Sequence, residues 1–171
     1  MADQHRRIDR VLAPDYLADL SSRSDADVRE MRRECAELET EYSYLRRLSQ
    51  ARIEILDAER DRRSRGAPLS ELIEALPRIL ADKGAPSPAD PARVRVPTQL
   101  VPTKLDGYSR GLERLVEDDT LANLPTLTDD ELEESLEQLR ILEREVSDIR
   151  RSLHGAIDTL GSELAGRTKT A

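Results

Sequence analysis

Five apolar residues recur every seven positions through the last third of the chain: Leu132, Leu139, Val146, Leu153 and Leu160, with Leu142, Ile149 and Ala156 on the companion line. A repeat of this period keeps one side of an α-helix apolar only where that helix lies along another, so it dictates a coiled-coil seam. Thr128 stands just before the run and Glu131 three residues later, the pair that forms a capping box at a helix start. An earlier stretch follows the same rule. Val28, Met31, Cys35, Leu38, Tyr42 and Leu45 step three and four residues apart after Ser24, Asp25 and Asp27, which supply a capping hydroxyl and first-turn acids. The pattern loosens at Ser49 and Arg52, recovers through Ile53 and Leu56, and ends in an arginine-rich turn before Gly66, where glycine can leave a helix with positive φ.

Composition supports long helices over a thick core. Charged residues make up 36% of the 171 and aromatics 2%, with four Tyr and no Phe or Trp, so a deep aromatic-lined pocket has nothing to line it. With 27 Lys+Arg against 35 Asp+Glu the formal charge is −8, which argues against general binding to DNA or to an anionic membrane. The single Cys35 excludes an internal disulfide, and no metal-ligand spacing is present. No apolar run approaches the roughly 20 residues of a membrane span, and the first residues lack a signal peptide's apolar stretch, so a soluble cytoplasmic protein is expected.

These features predict an all-α protein: a long antiparallel two-helix coiled-coil hairpin with short accessory helices and a Pro-rich connector. Residues 1–23 read as an N-terminal arm with a short helix, 24–65 as the first coiled-coil helix, 66–127 as the connector, 128–166 as the second helix ended by Gly166, and 167–171 as a tail. Within the connector, Pro68 to Leu80 reads as an amphipathic helix bent at Pro77, Gly84 to Pro102 as an extended stretch carrying five prolines, and Tyr108 to Glu117 as a further short helix. The arm carries Ile8, Val11, Leu12, Tyr16, Leu17 and Leu20 at near-helical spacing, an exposed apolar set unless something covers it. Gly155 and Gly161 interrupt the second helix at about 1 kcal/mol each relative to Ala, either to let a ligand or partner approach or as tolerated surface positions.

The two rods repeat each other at an offset of 104 residues. Glu39, Ser43, Arg46, Gln50 and Glu54 align with Glu143, Ser147, Arg150, His154 and Asp158, at spacings of 4, 3, 4 and 4. At 100° per residue each set falls within an arc of about 80°, one continuous polar stripe per helix. With Tyr42 and Val146 taken as equivalent a positions of the heptad, both sets occupy e, b, e, b and f. Solvated Glu–Arg ion pairs at helical spacing would also give such stripes. Serine, though, is a mediocre helix former with no packing role, yet it recurs at one place relative to Glu and Arg. Arg can pair with phosphate or with guanine O6 and N7, and a carboxylate can accept from guanine N1 and N2. Antiparallel rods would relate the stripes by a pseudo-twofold axis near Arg46 and Arg150, suited to a twofold-symmetric ligand.

The doubled pattern Glu-x3-Ser-x2-Arg-x3-Gln-x3-Asp resembles that of the RsiG family, actinobacterial anti-sigma factors that bind cyclic di-GMP. The resemblance spans both rods. It implies an antiparallel coiled coil holding a cyclic di-GMP dimer between the stripes, and ligand-dependent sequestration of the sporulation sigma factor WhiG. The site residues it implies are Glu39, Ser43, Arg46, Gln50 and Glu54 with Glu143, Ser147, Arg150, His154 and Asp158. Two of these depart from the motif. Glu54 lengthens the expected Asp by a methylene, and His154 replaces Gln with an imidazole, a type of side chain that titrates near neutral pH. The expected partners are cyclic di-GMP and a WhiG-type sigma factor, with no cofactor, metal, DNA or membrane contact. The apolar arm from Ile8 to Leu20 and the helix from Leu69 to Leu80 are the candidate sigma-docking elements.

The competing expectation is a ligand-independent coiled-coil adaptor. An enzyme ranks last: neither His5 nor His154 has a nucleophile and orienting acid at recognisable spacing, and Cys35 falls on the seam as a small hydrophobe.

Overall fold

The computed structural model describes residues 7–81 and 120–170, with side chains through 168. Four α-helices lie within them: α1 (Arg7–Val11), α2 (Asp25–Ser64), α3 (Leu69–Leu80) and α4 (Asp129–Thr170). The described residues contain no strand. The expected segments Gly84 to Pro102 and Tyr108 to Glu117 lie outside the described residues.

Helices α2 and α4 have 40 and 42 residues and are therefore each roughly 60 Å long. They run antiparallel, as the ion pairs between them record. Arg63 of α2 meets Asp129 at the start of α4, Arg60 reaches Glu133, Arg140 binds Asp57, and Arg167 near the end of α4 meets Asp25 at the start of α2. Position rises along one helix as it falls along the other. Between them the heptad residues make the core: Val28, Met31, Cys35, Leu38, Tyr42, Leu45 and Leu56 are buried against Leu132, Leu136, Leu139, Val146, Leu153, Ala156 and Leu160.

The helix ends form as the local chemistry requires. At α2, Asp27 N–H donates to Ser24 Oγ at 3.1 Å and Ser24 N–H donates to Asp27 Oδ2 at 3.3 Å. At α4, Glu131 N–H donates to Thr128 Oγ1 at 3.3 Å and Thr128 N–H to Glu131 Oε2 at 2.7 Å. These reciprocal bonds satisfy amides that the first turn would otherwise strand. Helix α2 stops at Gly66, φ +62°, where Ala67 N–H donates to Arg62 O and Gly66 N–H to Arg63 O, a Schellman pair.

One expectation changes and two are made definite. Helix α4 does not end at Gly166 but continues to Thr170. Its last turn is held by Arg167, which donates to Leu20 O at 2.6 Å, to Arg23 O at 2.9 Å and to Asp25 Oδ1 at 2.8 Å. Where the pattern loosens at Ser49 the seam is continuous: Ser49 is fully buried at its heptad position, its hydroxyl donating to Leu45 O at 2.9 Å. The apolar set of the arm finds its cover within the chain. Ile8 and Val11 are buried, and Leu12, Tyr16, Leu17 and Leu20 pack against the same core. Arg7 pairs with Glu37 and Glu41, Arg10 pairs with Glu34, and the Tyr16 hydroxyl donates to Glu34 Oε2 at 3.1 Å.

Helix α3 folds back along α2 and runs through Pro77. Leu72 is buried and Leu76 and Ile79 are partly so, but Leu69, Ile73 and Leu80 remain 40%, 60% and 58% exposed.

The 104-residue repeat extends to the ends of the hairpin. Arg63 donates to Leu124 O at 2.9 Å, Leu127 O at 2.7 Å and Asp129 Oδ1 at 2.9 Å. Those acceptors are the counterparts, residue for residue, of the ones that Arg167 uses at the other end. Each helix thus begins after a 3₁₀ turn and is gripped there by an arginine from the last turns of its partner.

Candidate functional site

The position of the polar stripes follows from the antiparallel seam. A twofold axis perpendicular to two antiparallel helices maps any flank of one onto the same flank of the other. Stripes that share e and b positions must therefore meet on one side of the hairpin. The arm occupies the other side of α2, reaching Glu34 and Glu41, which are both g positions.

On the e flank the arginines cross between helices. Arg46 Nε donates to Ser147 Oγ at 2.9 Å and lies 3.1 Å from Glu143 Oε1. Arg150 Nε donates to Ser43 Oγ at 2.9 Å, and Arg150 Nη2 donates to Glu39 Oε1 at 3.0 Å. Within each helix the serine turns back to its own carboxylate: Ser43 Oγ donates to Glu39 Oε1 at 2.6 Å, and Ser147 Oγ to Glu143 Oε1 at 3.0 Å. The fourth stripe position closes each half. Gln50 Nε2 donates to Glu143 Oε1 at 3.3 Å, and His154 Nε2 lies 3.3 Å from Glu39 Oε1. Eight of the ten expected site residues thus form two copies of one constellation, related by the repeat. Glu54, half-buried, and Asp158, exposed, stand at the outer ends of the stripes.

Burial works to raise the Glu39 carboxyl, but hydrogen bonds from Ser43 and Arg150, with the positive charge of Arg150, outweigh it and hold the group below its ordinary value of 4.5. Glu39 is therefore an ionised acceptor at neutral pH. A carboxylate has about four lone-pair sites, so the hydrogen bonds it takes here leave capacity for a further donor. The lattice presents two carboxyl groups and two guanidinium groups, none of them fully buried, along one face. That is chemistry for binding a ligand with both hydrogen-bond donors and anionic or acceptor groups.

A second Arg–Glu cluster, at the connector end of the hairpin, escaped the sequence reading. Glu59 lies on the seam with none of its side chain exposed, accepting from Arg62 Nε at 2.6 Å and Arg63 Nε at 2.6 Å. The Arg62 hydrogen bonds, then the opposing effect of burial, then Arg63 combine to hold the Glu59 carboxyl below 4.5. Arg62 also donates to Ala67 O, so the cluster ties the start of the α3 turn and the start of α4 to the end of α2. Heptad counting through the polar stretch would have placed Glu59 at a d position and flagged it.

The described residues hold no cluster suited to a metal ion and no helix long and apolar enough to cross a membrane. Fold and site together define a class: an all-α coiled-coil hairpin with an internal repeat and a pseudo-twofold polar lattice on its open flank. The chain belongs to the RsiG-like family, whose model matches residues 14–80 and 118–171. That family is one of anti-sigma regulators, and the matched residues take in both rods and all of α3. No curated protein and no solved structure matches the chain.

Proposed function

We propose that the chain is a cyclic di-GMP-binding anti-sigma factor that, when loaded with ligand, sequesters a WhiG-type sigma factor and so represses sporulation transcription. The observation that carries this reading is the crossed lattice of Arg46 with Glu143 and Ser147, and of Arg150 with Glu39 and Ser43. Cyclic di-GMP is twofold symmetric and carries guanine edges and phosphates, and the lattice offers guanidinium forks and carboxylates about a matching pseudo-twofold axis. A cyclic di-GMP dimer would fill two half-sites related by that axis. With the arm's apolar set covered by α2, the exposed Leu69, Ile73 and Leu80 face of α3 is the candidate for holding the sigma factor.

Calorimetric titration with cyclic di-GMP, with and without the purified sigma factor, tests the reading. The intact chain is expected to bind, and Arg46→Ala or Arg150→Ala to reduce affinity by at least roughly a hundredfold while leaving helicity unchanged, as for loss of a desolvated charge-assisted contact. Wild-type affinity in both variants would sink it. The second reading, a ligand-independent adaptor, draws on the fact that each arginine already has partners within the chain. It requires that sigma-factor affinity be the same with and without the nucleotide.

A further inference from the structure

The e row beside the seam repeats one step further than its charged residues. On α2 it reads Arg32, Glu39, Arg46, Ile53 and Arg60, and on α4 Leu136, Glu143, Arg150, Ile157 and Leu164. The middle three residues are identical in the two copies and the outer ones are not, so isoleucine belongs to the repeated unit together with Glu and Arg. Its chemistry is out of place there, since e positions beside a two-helix seam ordinarily carry charge. Ile53 and Ile157 pack against the core from its edge and keep part of their surface exposed. The arm and the turn into α3 are tied to the opposite, g, flank, through Glu34 and Glu41 and through Arg62. Ile53 stands three residues from Gln50, and Ile157 three from His154, so each adjoins the stripe of its own helix. Given the crossing of Arg46 to Ser147 and of Arg150 to Ser43, the flank from end to end runs Ile157, Glu39, Arg150, Arg46, Glu143, Ile53. Guanidinium groups hold the centre, a carboxyl lies outside each, and an apolar side chain closes either end. The two isoleucines are roughly 25 Å apart along the hairpin, too far for one base to touch both.

We infer that Ile53 and Ile157 are ligand-binding residues, each the apolar seat for the ring face of one purine base. A base is polar at its edges and apolar over its faces. The Arg and Glu side chains of the lattice address edges and phosphates and offer no hydrocarbon to a face. Proteins commonly meet that face with an aromatic ring. Here the chain has no Phe or Trp, and no tyrosine stands at an e or b position of either helix. An isoleucine anchored by the seam and stiff at χ1 supplies the missing surface, once in each half of the lattice. The inference rests on the cyclic di-GMP reading above and adds to it the contact that holds the faces of the bases.

The test uses the full chain and cyclic di-GMP in two measurements. In calorimetric titration, Ile53→Ala and Ile157→Ala are each expected to weaken binding about tenfold, the loss of one face contact, with helicity by circular dichroism unchanged. Affinity equal to wild type in both would overturn the inference. The second measurement separates contact with the ligand from support of the fold. Because the chain has no Trp, Ile53→Trp and Ile157→Trp each carry a sole indole, and Ile141→Trp, at a c position 44% exposed on α4, is the control. Indole fluorescence is expected to change with cyclic di-GMP at 53 and 157, saturating where calorimetry does, and to stay constant at 141. No change at 53 and 157 while calorimetry shows binding would overturn the inference, and so would equal changes at all three positions, which would report a rearrangement of the whole hairpin. Should the alanine variants lose helicity, the indole reporters decide. A wild-type chain that binds no cyclic di-GMP would remove the underlying reading and this inference with it, a result distinguishable because the wild type itself would be silent.

Discussion

The ends of the hairpin and its middle use the same side chains for different purposes. At the ends, Arg63 and Arg167 direct their terminal nitrogens at backbone carbonyls, Leu124 and Leu127 in one case and Leu20 and Arg23 in the other. In the middle, Arg46 and Arg150 reach only side chains. A bond to a carbonyl fixes where the chain goes, and nothing else can take its place without unfolding that turn. A bond between two partly exposed side chains can be exchanged for a bond to a ligand at little cost. Arg–Glu chemistry is therefore structural at the ends and available for recognition in the middle.

The sharpest way to break this comparison is at the connector end. Glu59 has no exposed side-chain surface and balances two arginines, whereas its repeat counterpart Glu163 is 31% exposed and serves Arg167 alone. Removing the buried carboxylate leaves two poorly solvated cations facing each other. Glu59→Ala is expected to lower the free energy of unfolding by about 3 kcal/mol, the cost of breaking a buried pair from one side. Glu163→Ala should have a clearly smaller effect. Urea denaturation of both variants measures the difference, and equal losses would show that burial does not distinguish the two ends.

Acid titration sharpens the same contrast with a smaller effect. The Glu59 carboxyl is held below 4.5 by Arg62 and Arg63, and that of Glu39 by Ser43 and Arg150 against the opposing effect of burial. A carboxyl depressed in the folded state contributes stability that is complete above its unfolded value and is lost as the pH falls through the folded one. Both contributions are thus intact at pH 6 and fade below 4.5. Glu59→Gln and Glu39→Gln should each flatten the fall in urea midpoint between pH 6 and 3. An unchanged slope in Glu59→Gln would mean that its carboxylate is not what acid removes.

Much of this division was legible before any coordinates. The heptad runs specified both helices and their seam, the long connector let the chain fold back on itself, and the Ser24 cap and Thr128 box gave the helix starts. The e and b register was enough to bring the stripes to one flank, because antiparallel packing leaves no other choice. What escaped were contacts between residues distant in sequence whose types carry no period. Arg167 grips Leu20 and Arg23 through backbone carbonyls, which no side-chain pattern records, and so α4 runs on past a glycine that reads as a stop. The arm was ambiguous for a related reason. Its apolar spacing announced that something must cover it, but only the pairing of Arg7 and Arg10 with Glu34, Glu37 and Glu41 shows that the cover is α2 itself.

The smallest expected effect on stability is in the middle, and it bears most directly on function. Arg150 is 23% exposed and its partner Glu39 20%, so water competes for both and the pair is worth about 0.2–1 kcal/mol to folding. The double variant Arg46→Ala, Arg150→Ala should therefore unfold at nearly the wild-type urea concentration, even though two cross-helix links are gone. The seam explains why. Val146 and Leu153, with Tyr42 and Leu45 opposite, are buried beneath the lattice and hold the helices together without it. A loss of several kcal/mol would place these arginines with Arg63 and Arg167 as structural fastenings. A loss under about 1 kcal/mol would leave the middle of the hairpin free to exchange its own contacts for those of a ligand, as recognition there requires.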